Sequence, residues 1–189
     1  MHVPKSVNMI RTIRLLIYLI ASFVACSSAS AKGYNIGANN DNTTIRFHIL
    51  FPIYGRIEGR FDKVRGRLDL DEKNPANSKI IVEVDTASIN SNHQARDAYL
   101  RSSALLSASE YPRAFFKSDA VNMISKNQVV INGHLTLRGV TRPITVRSFL
   151  VGKTFQGTTS FHLSNFGIKG LLGFLAAKLH LTMRIKNVR

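Results

Sequence analysis

The sequence predicts an all-β fold in which a single antiparallel sheet of about eight strands closes on itself and carries one short helix. Three observations lead to this prediction. Apolar and polar residues alternate along most of the chain, which is the period of a half-buried strand. Turn-forming residues separate the alternating runs, and the chain contains no repeat of fixed period. Closing the sheet would also remove the unpaired edges that an open sheet exposes.

The first strands follow a polar lead-in from Gly33 to Asn42. Three alternating runs come next, and their apolar members are Ile45, Phe47, Ile49 and Phe51, then Ile57, Gly59 and Phe61, then Leu68 and Leu70. Gly59 and Gly66 within these runs predict bends or bulges. The segment 71–75, Asp-Glu-Lys-Asn-Pro, predicts a turn. After it the alternation resumes with Ile80, Val82 and Val84.

One segment breaks the strand pattern and predicts a helix. Ser91 and Gln94 have the spacing of a capping box, and the run from Ala95 to Arg101 that follows favours helix. On this helix Asp97 and Arg101 are spaced i,i+4, which places their charges side by side. A structural ion pair is therefore the preferred interpretation of these two residues, ahead of a catalytic role.

The run from Gly133 to Val146 predicts a β-hairpin with a basic turn. Its incoming strand has one apolar face, made of Val129, Ile131, Gly133, Leu135 and Leu137. Pro143 lacks an amide hydrogen and is placed at the start of the return strand. Two further strands follow, at 155–163 and 177–185, and an apolar, glycine-rich loop separates them.

The N-terminus predicts export. An uncharged apolar run spans residues 15–26. The basic residues Lys5, Arg11 and Arg14 precede it, and the small residues Ala29-Ser30-Ala31 follow it. This order is typical of a secretory signal peptide, so we expect residues 1–31 to be removed and residues 32–189 to form the exported domain. The run is short for a membrane span, although an uncleaved anchor stays open as an alternative. Translation from Met9 is also compatible with the pattern.

Cys26 is the only cysteine, and it lies within the predicted signal peptide. Lipoprotein attachment at Cys26 is disfavoured because Phe23 stands where such sites prefer a smaller aliphatic residue. The mature domain would then contain no thiol, which excludes cysteine catalysis, thiolate metal sites and disulfides.

The chain is strongly basic. Its formal charge is +15, of which the predicted signal peptide contributes three, so +12 remains for residues 32–189. An exported protein of this charge would meet anionic membranes or envelope polymers rather than nucleic acid. A basic surface that is only solvated stays open as an alternative.

No motif of catalysis, phosphate binding or dinucleotide binding occurs in the chain. No metal site is predicted either, because the histidines of residues 32–189 lack the spacing of metal ligands: His48, His93, His134, His162 and His180.

Several stretches, taken in order, resemble the YceI-like family of periplasmic lipid-binding proteins. They are 47–61 with Gly59-Arg60-Phe61, 71–75, Asn92-His93, Arg96-Asp97, Leu100-Arg101-Ser102, Tyr111-Pro112 and 133–143. The resemblance spans about Thr44 to Arg184. It implies an extended, eight-stranded, lipocalin-like β-barrel whose apolar interior holds a polyisoprenoid chain. The sequence departs from the family pattern at three places. The family usually has a histidine at the position of Phe51 and a glycine near Ile53. It usually has an acidic and aromatic triplet at the position of Ala104-Leu105-Leu106.

We therefore predict an exported protein that holds or carries a quinone-like or prenol-like lipid, or another long-chain lipid, with no cofactor and no covalent chemistry. The proposed lining is Phe47, Ile49, Phe51, Leu135, Leu137, Phe161, Phe166, Leu179, Leu181 and Met183. Arg96 and Arg101 are expected near a polar headgroup. A homodimer is left open.

Two alternatives remain at this stage. In the first, the barrel is filled by its own side chains and the basic surface binds anionic membrane or envelope polymers. In the second, the protein is a hydrolase or isomerase of the bound lipid with Asp97 as its acid or base.

Overall fold

The computed structural model describes residues 32–37, 42–51, 55–71, 73–169 and 177–186. The described residues belong to one compact unit, 31–189. The predicted signal peptide, 1–31, and most of the predicted glycine-rich loop lie outside the described residues, as does the side chain of Phe51. Within the described part, no helix is long and apolar enough to span a membrane.

The described chain consists of strands, one α-helix and short 3-10 turns. The strands are β1 Lys32–Ile36, β2 Thr43–Phe51, β3 Gly55–Phe61, β4 Val64–Leu70, β5 Lys79–Asp85, β6 Ile89–Asn90, β7 Arg113–Ser125, β8 Gln128–Leu137, β9 Val140–Val151, β10 Thr154–His162 and β11 Lys178–Ile185. The helix α1 is Gln94–Arg101, and the 3-10 turns are Pro75–Asn77, Thr86–Ser88 and Leu163–Phe166. The predicted all-β class with one short helix is confirmed.

All described strands form one antiparallel sheet in the order β1-β4-β5-β7-β8-β9-β10-β11-β2-β3-β6. The strand count differs from the prediction because two short, partly polar segments, β1 and β6, also join the sheet. Their length and composition carry no clear alternation, so the sequence pattern does not reveal them.

The sheet curls into a barrel-like wall, but among the described strands no ladder joins β1 to β6. The turn between β3 and β4 explains this difference from the predicted closure. The amide of Asp62 donates to the Ser88 carbonyl, and the Lys63 carbonyl accepts from the amide of Asp85. The turn is thereby tied to the segment before β6, and β3 and β4 diverge instead of pairing with each other.

Of the bends or bulges predicted at Gly59 and Gly66, the bulges are absent. Both glycines keep the regular ladder register, and the register shifts lie in β7 instead, between Ser118 and Ala120 and between Met123 and Ser125. A Cβ on Gly66 would stand 2.1 Å from the Ile81 carbonyl oxygen, so this glycine permits close approach of two strands.

The predicted hairpin is confirmed as β8 and β9. Its two-residue loop, Arg138-Gly139, has positive φ at both positions, 51° and 72°, as a type I′ turn requires. Pro143 is the fourth residue of β9 rather than its first, and it pairs with His134. The ladder between β9 and β10 reaches only from Arg147 to Val151, so no bond to β10 is lost where Pro143 lacks its amide hydrogen.

Buried side chains form two neighbouring clusters. The helix-side cluster lies beneath α1 and includes Phe47, Ile49, Leu100, Leu137, Phe166 and Leu179. The far-end cluster fills the other end of the curled sheet and includes Ile45, Leu68, Val121, Ile131, Phe155 and Ile185. Several half-buried side chains, among them Phe61, Phe116 and Leu181, contact both clusters. The sheet therefore encloses a continuous apolar interior.

Candidate functional site

An apolar cavity of about 130 Å³, here called the main cavity, lies inside the curled sheet. Its wall is apolar throughout and draws on strands from both halves of the sheet. Alternation along each strand places these side chains inside and their neighbours outside. Six of the predicted lining residues contribute to this wall: Leu135, Leu137, Phe161, Leu179, Leu181 and Met183.

A second cavity of about 40 Å³ lies at the helix side of the interior. Phe47 and Ile49 line this smaller cavity, as does Leu100 of α1. Phe61, Leu106 and Leu179 belong to the walls of both cavities. These three side chains therefore form the partition between the main and the smaller cavity.

Phe166 takes a different place from the one predicted. It is almost fully buried in the 3-10 turn after β10, but it lines neither of these cavities. Its ring packs edge-on against Phe161, with the centroids 5.0 Å apart. Phe166 thus packs against a wall residue of the main cavity as part of the helix-side cluster. The predicted lining role of Phe51 falls on a side chain outside the described residues.

Sequence reasoning missed part of the wall. The apolar residues of β5, Ile80, Val82 and Val84, line the main cavity, and their alternation was visible in the sequence. Leu106 and Ala114 also line it, but they lie in or next to an irregular connection where no periodicity marks an inward face.

The N-terminus of α1 is held by a hydrogen-bond network rather than by the predicted capping box. His93 is the cap, because its Nδ1 accepts from the amide of Arg96 at 3.3 Å. Ser91 is engaged elsewhere: its amide and its hydroxyl donate to Asp97 Oδ1 at 2.8 and 2.5 Å. The Arg96 guanidinium donates to the Ser91 hydroxyl and carbonyl oxygens, at 2.8 and 2.6 Å.

Asp97 is a buried hydrogen-bond acceptor in this network. Burial alone raises the pKa of its carboxyl, but the two Ser91 hydrogen bonds and the charges of Arg101 and Arg96 outweigh burial, so the pKa lies below its usual value. Asp97 therefore stays ionised at neutral pH and lines neither cavity. A general acid would need the opposite shift and contact with the interior.

Arg101 forms no direct ion pair with Asp97, although both residues are described. Its Nη1 donates to the Ile89 carbonyl at 3.3 Å, because the guanidinium reaches across to β6. Arg96 and Arg101 thus both hold backbone carbonyls next to α1. Their predicted contact with a lipid headgroup stays a prediction.

A histidine pair lies on the outer face of the sheet. His48 and His180 are cross-strand partners, and their rings stack with centroids 4.6 Å apart and planes 3° from parallel. Partial burial, then the charges of Arg56 and His180, lower the pKa of His48 against the opposing effect of Glu58. Across the described ranges, no group of three or more His, Cys, Asp or Glu side chains is placed to hold a metal ion.

Comparisons with known proteins agree with this architecture. A family model for the YceI-like domain matches residues 34–187. A UPF0312 protein of Shewanella baltica is 35% identical over 179 residues, which cover 89% of this chain and 94% of the relative. The crystal structure of BcnA from Burkholderia cenocepacia is similar, with a TM-score of 0.69 at 20% identity over 76% of this chain and 94% of that one.

A further structural neighbour is a polyisoprenoid-binding domain from Saccharophagus degradans implicated in plant cell wall breakdown. It has a TM-score of 0.55 at 12% identity, and the match covers 78% of this chain and 96% of that one. At this identity the likeness concerns the fold.

Proposed function

The chain belongs to the YceI-like family, and from this premise we propose that it binds a polyisoprenoid-type lipid, quinone-like or prenol-like, in the main cavity. The protein holds or carries this ligand and performs no covalent chemistry on it. The observation that carries the proposal is the main cavity itself, whose wall is apolar throughout. Such a wall favours a hydrocarbon chain and offers nothing to a polar ligand.

The size of the cavity suits part of a prenyl chain. Apolar cavities of about 150 Å³ stay dry and bind small hydrophobic molecules. The main cavity, at about 130 Å³, is of this kind. Each buried CH₂-sized group contributes about 0.8 kcal/mol, so a five-carbon unit contributes roughly 3 to 4 kcal/mol before the cost of ordering the ligand. A longer chain needs the smaller cavity as well, and reaches it by displacing the partition of Phe61, Leu106 and Leu179.

Two further considerations support a binding role. A domain of similar fold binds a polyisoprenoid in another organism, which supports the ligand class. Asp97, a buried carboxylate next to the interior, accepts hydrogen bonds from Ser91 and is kept ionised, which favours a structural role for it.

The experiment is extraction and identification of the ligand that copurifies with the protein. Native mass spectrometry should show an adduct, and organic extraction should return a prenyl lipid whose removal leaves a protein that binds a hydrophobic fluorescent probe. A protein that carries no lipid and excludes both the probe and added prenol would overturn the proposal.

We also propose that residues 1–31 direct export to the periplasm and are then removed. The order of basic, apolar and small residues supports this. N-terminal sequencing of protein from the periplasmic fraction should begin at Lys32. A chain that begins at Met1 or Met9 would contradict cleavage, and a lipid-modified Cys26 in the membrane fraction would identify a lipoprotein instead.

A further inference from the structure

The end of the curled sheet opposite α1 exposes both apolar and basic side chains. We call this surface the far rim. It comprises the tips of the β7–β8 and β9–β10 hairpins and the end of β11. Its exposed apolar residues include Ile124, Phe149 and Val151, with 59%, 45% and 69% of their surface accessible. Its cations are Lys126, Lys153, Arg184 and Lys186.

The strand register brings these residues to one surface. Phe149 pairs with Gln156, and Gln156 pairs with Arg184, so Phe149 and Arg184 lie two strands apart, about 10 Å. Val151 pairs with Thr154 at the start of β10. The Arg184 guanidinium donates to the Gln156 side chain at 3.1 Å, which holds its charge next to Phe149.

The part of the sequence that forms the far rim carries charged residues of one sign only. From Ala120 to Arg189 the sequence contains ten Lys and Arg residues and no Asp or Glu. Within the described ranges, none of the four rim cations is ion-paired with a carboxylate. The four rim cations are therefore not neutralised by ion pairs and attract an anionic partner.

The far rim also adjoins the interior. Phe155 lines the main cavity and pairs with Leu150, the residue between Phe149 and Val151. A wall residue of the main cavity therefore lies next to the strand segment that carries Phe149 and Val151.

We propose that the far rim docks on an anionic lipid bilayer, with Ile124, Phe149 and Val151 entering the interfacial layer and the rim cations contacting lipid phosphates. The inference rests on the proposed function, since docking brings the cavity to a membrane from which it exchanges its lipid. A bilayer is the partner that uses both features, because apolar side chains gain by leaving water while the cations meet anionic headgroups. A soluble polyanion would use only the cations, and two copies of the rim would repel each other.

The test is cosedimentation of the purified protein with vesicles, made either of phosphatidylcholine alone or with roughly a third phosphatidylglycerol. One double variant combines Lys126→Glu with Lys153→Glu, and the other combines Phe149→Ser with Val151→Ser. The controls lie at the opposite ends of strands: Leu50→Ser, an apolar residue with 55% of its surface accessible, and Lys178→Glu, an exposed cation of β11.

We expect binding to the anionic vesicles that weakens with salt, falls about tenfold or more in the charge-reversal variant and falls clearly in the apolar variant. Both controls should bind as the wild type does. Absence of vesicle binding by the wild type, or equal losses in the controls, would overturn the proposal. Full binding by the apolar variant would also overturn it, because the contact would then be purely electrostatic. A dimer in analytical ultracentrifugation that the apolar variant abolishes would overturn it as well.

Native mass spectrometry of the same variants with added prenol separates this inference from the proposed function. Rim variants should retain prenol while losing vesicle binding. Vesicle binding without any prenol uptake would leave docking intact and refute the lipid cargo.

Discussion

The ring of Phe47 on β2 lies directly over the backbone of Gly59, its cross-strand partner on β3. A Cβ on Gly59 would stand 2.7 Å from Phe47 Cζ and 2.6 Å from the Asn90 carbonyl oxygen. The missing side chain therefore provides the space in which Phe47 lies. Phe47 lines the smaller cavity and contacts the Phe61 ring, with centroids 5.7 Å apart, so this glycine helps to shape the interior.

Gly59→Ala should destabilise the protein by about 1 to 3 kcal/mol, because the new methyl group displaces the Phe47 ring and meets a backbone carbonyl that cannot rotate away. Denaturant unfolding measures the effect. Gly33→Ala is the matched control, since the Cβ there meets only the ends of the Arg67 and Asp69 side chains. Equal losses in the two variants would contradict the assigned role of Gly59.

Asp97→Asn should lower the free energy of unfolding at neutral pH. It should also make this free energy fall less steeply as the pH is lowered. The pKa of Asp97 is lower in the folded state than its ordinary value of 3.8. The ionised carboxylate therefore contributes its full stabilisation above pH 3.8, and this stabilisation is lost as the pH falls through the folded pKa. The neutral amide accepts more weakly from Ser91, at an expected cost of about 1 to 3 kcal/mol. Unfolding measured from neutral to acidic pH should show the variant converging with the wild type in acid. A constant offset at every pH would refute this account.

The stacked pair on the outer face predicts a second pH effect. Folded His48 binds its proton less readily than the unfolded chain, whose histidine has a pKa of about 6.5, so stability should fall as the pH decreases below that value. His48→Gln should flatten this decline. His180→Gln removes only one of the groups that lower the pKa of His48, so it should flatten the decline in stability less. Unchanged slopes in both variants would show that the lowered pKa of His48 does not control stability in this way.

The alternating segments could be predicted from sequence because the inward and outward positions of a strand are set locally, residue by residue. The β8–β9 hairpin is an example, since its apolar face and its Arg138-Gly139 loop are both short-range features. The roles of Ser91 and Gly59 could not be predicted, because each depends on a partner placed by folding. Asp97 draws Ser91 away from the expected cap, and the Phe47 ring occupies the space over Gly59.

The residues of the candidate site also fall into those that could be predicted from sequence and those that could not. Residues such as Leu135 and Leu181 could be assigned to the wall from alternation. Leu106 could not, because it lies in the irregular connection between α1 and β7, in the triplet where the sequence departs from the family pattern. The division of the interior into two cavities likewise follows from packing between distant residues and leaves no local pattern.

Filling the main cavity should abolish ligand binding while the fold persists. Val146 lines this cavity, and a phenyl ring in its place occupies much of the available space. Val146→Phe should therefore carry no copurifying lipid in native mass spectrometry, at a stability cost of about 1 to 3 kcal/mol. Thr145→Phe adds the same ring to the exposed face one residue away and should retain the lipid. Retention of the lipid in both variants would place the ligand elsewhere.

Removing the partition should change the length of the chain that is bound. Leu106 lines both cavities, whereas its equally buried neighbour Leu105 lines only the smaller one. Leu106→Ala joins the two spaces, so mass spectrometry of extracted or added prenols should shift toward longer chains. Leu105→Ala should cost a similar stability, about 2 to 5 kcal/mol, because each change deletes a buried isobutyl group. It should leave the length distribution as it is, because the partition remains. A shift of equal size in both variants would mean that general loosening of the interior, rather than the Leu106 partition, sets the length of the ligand.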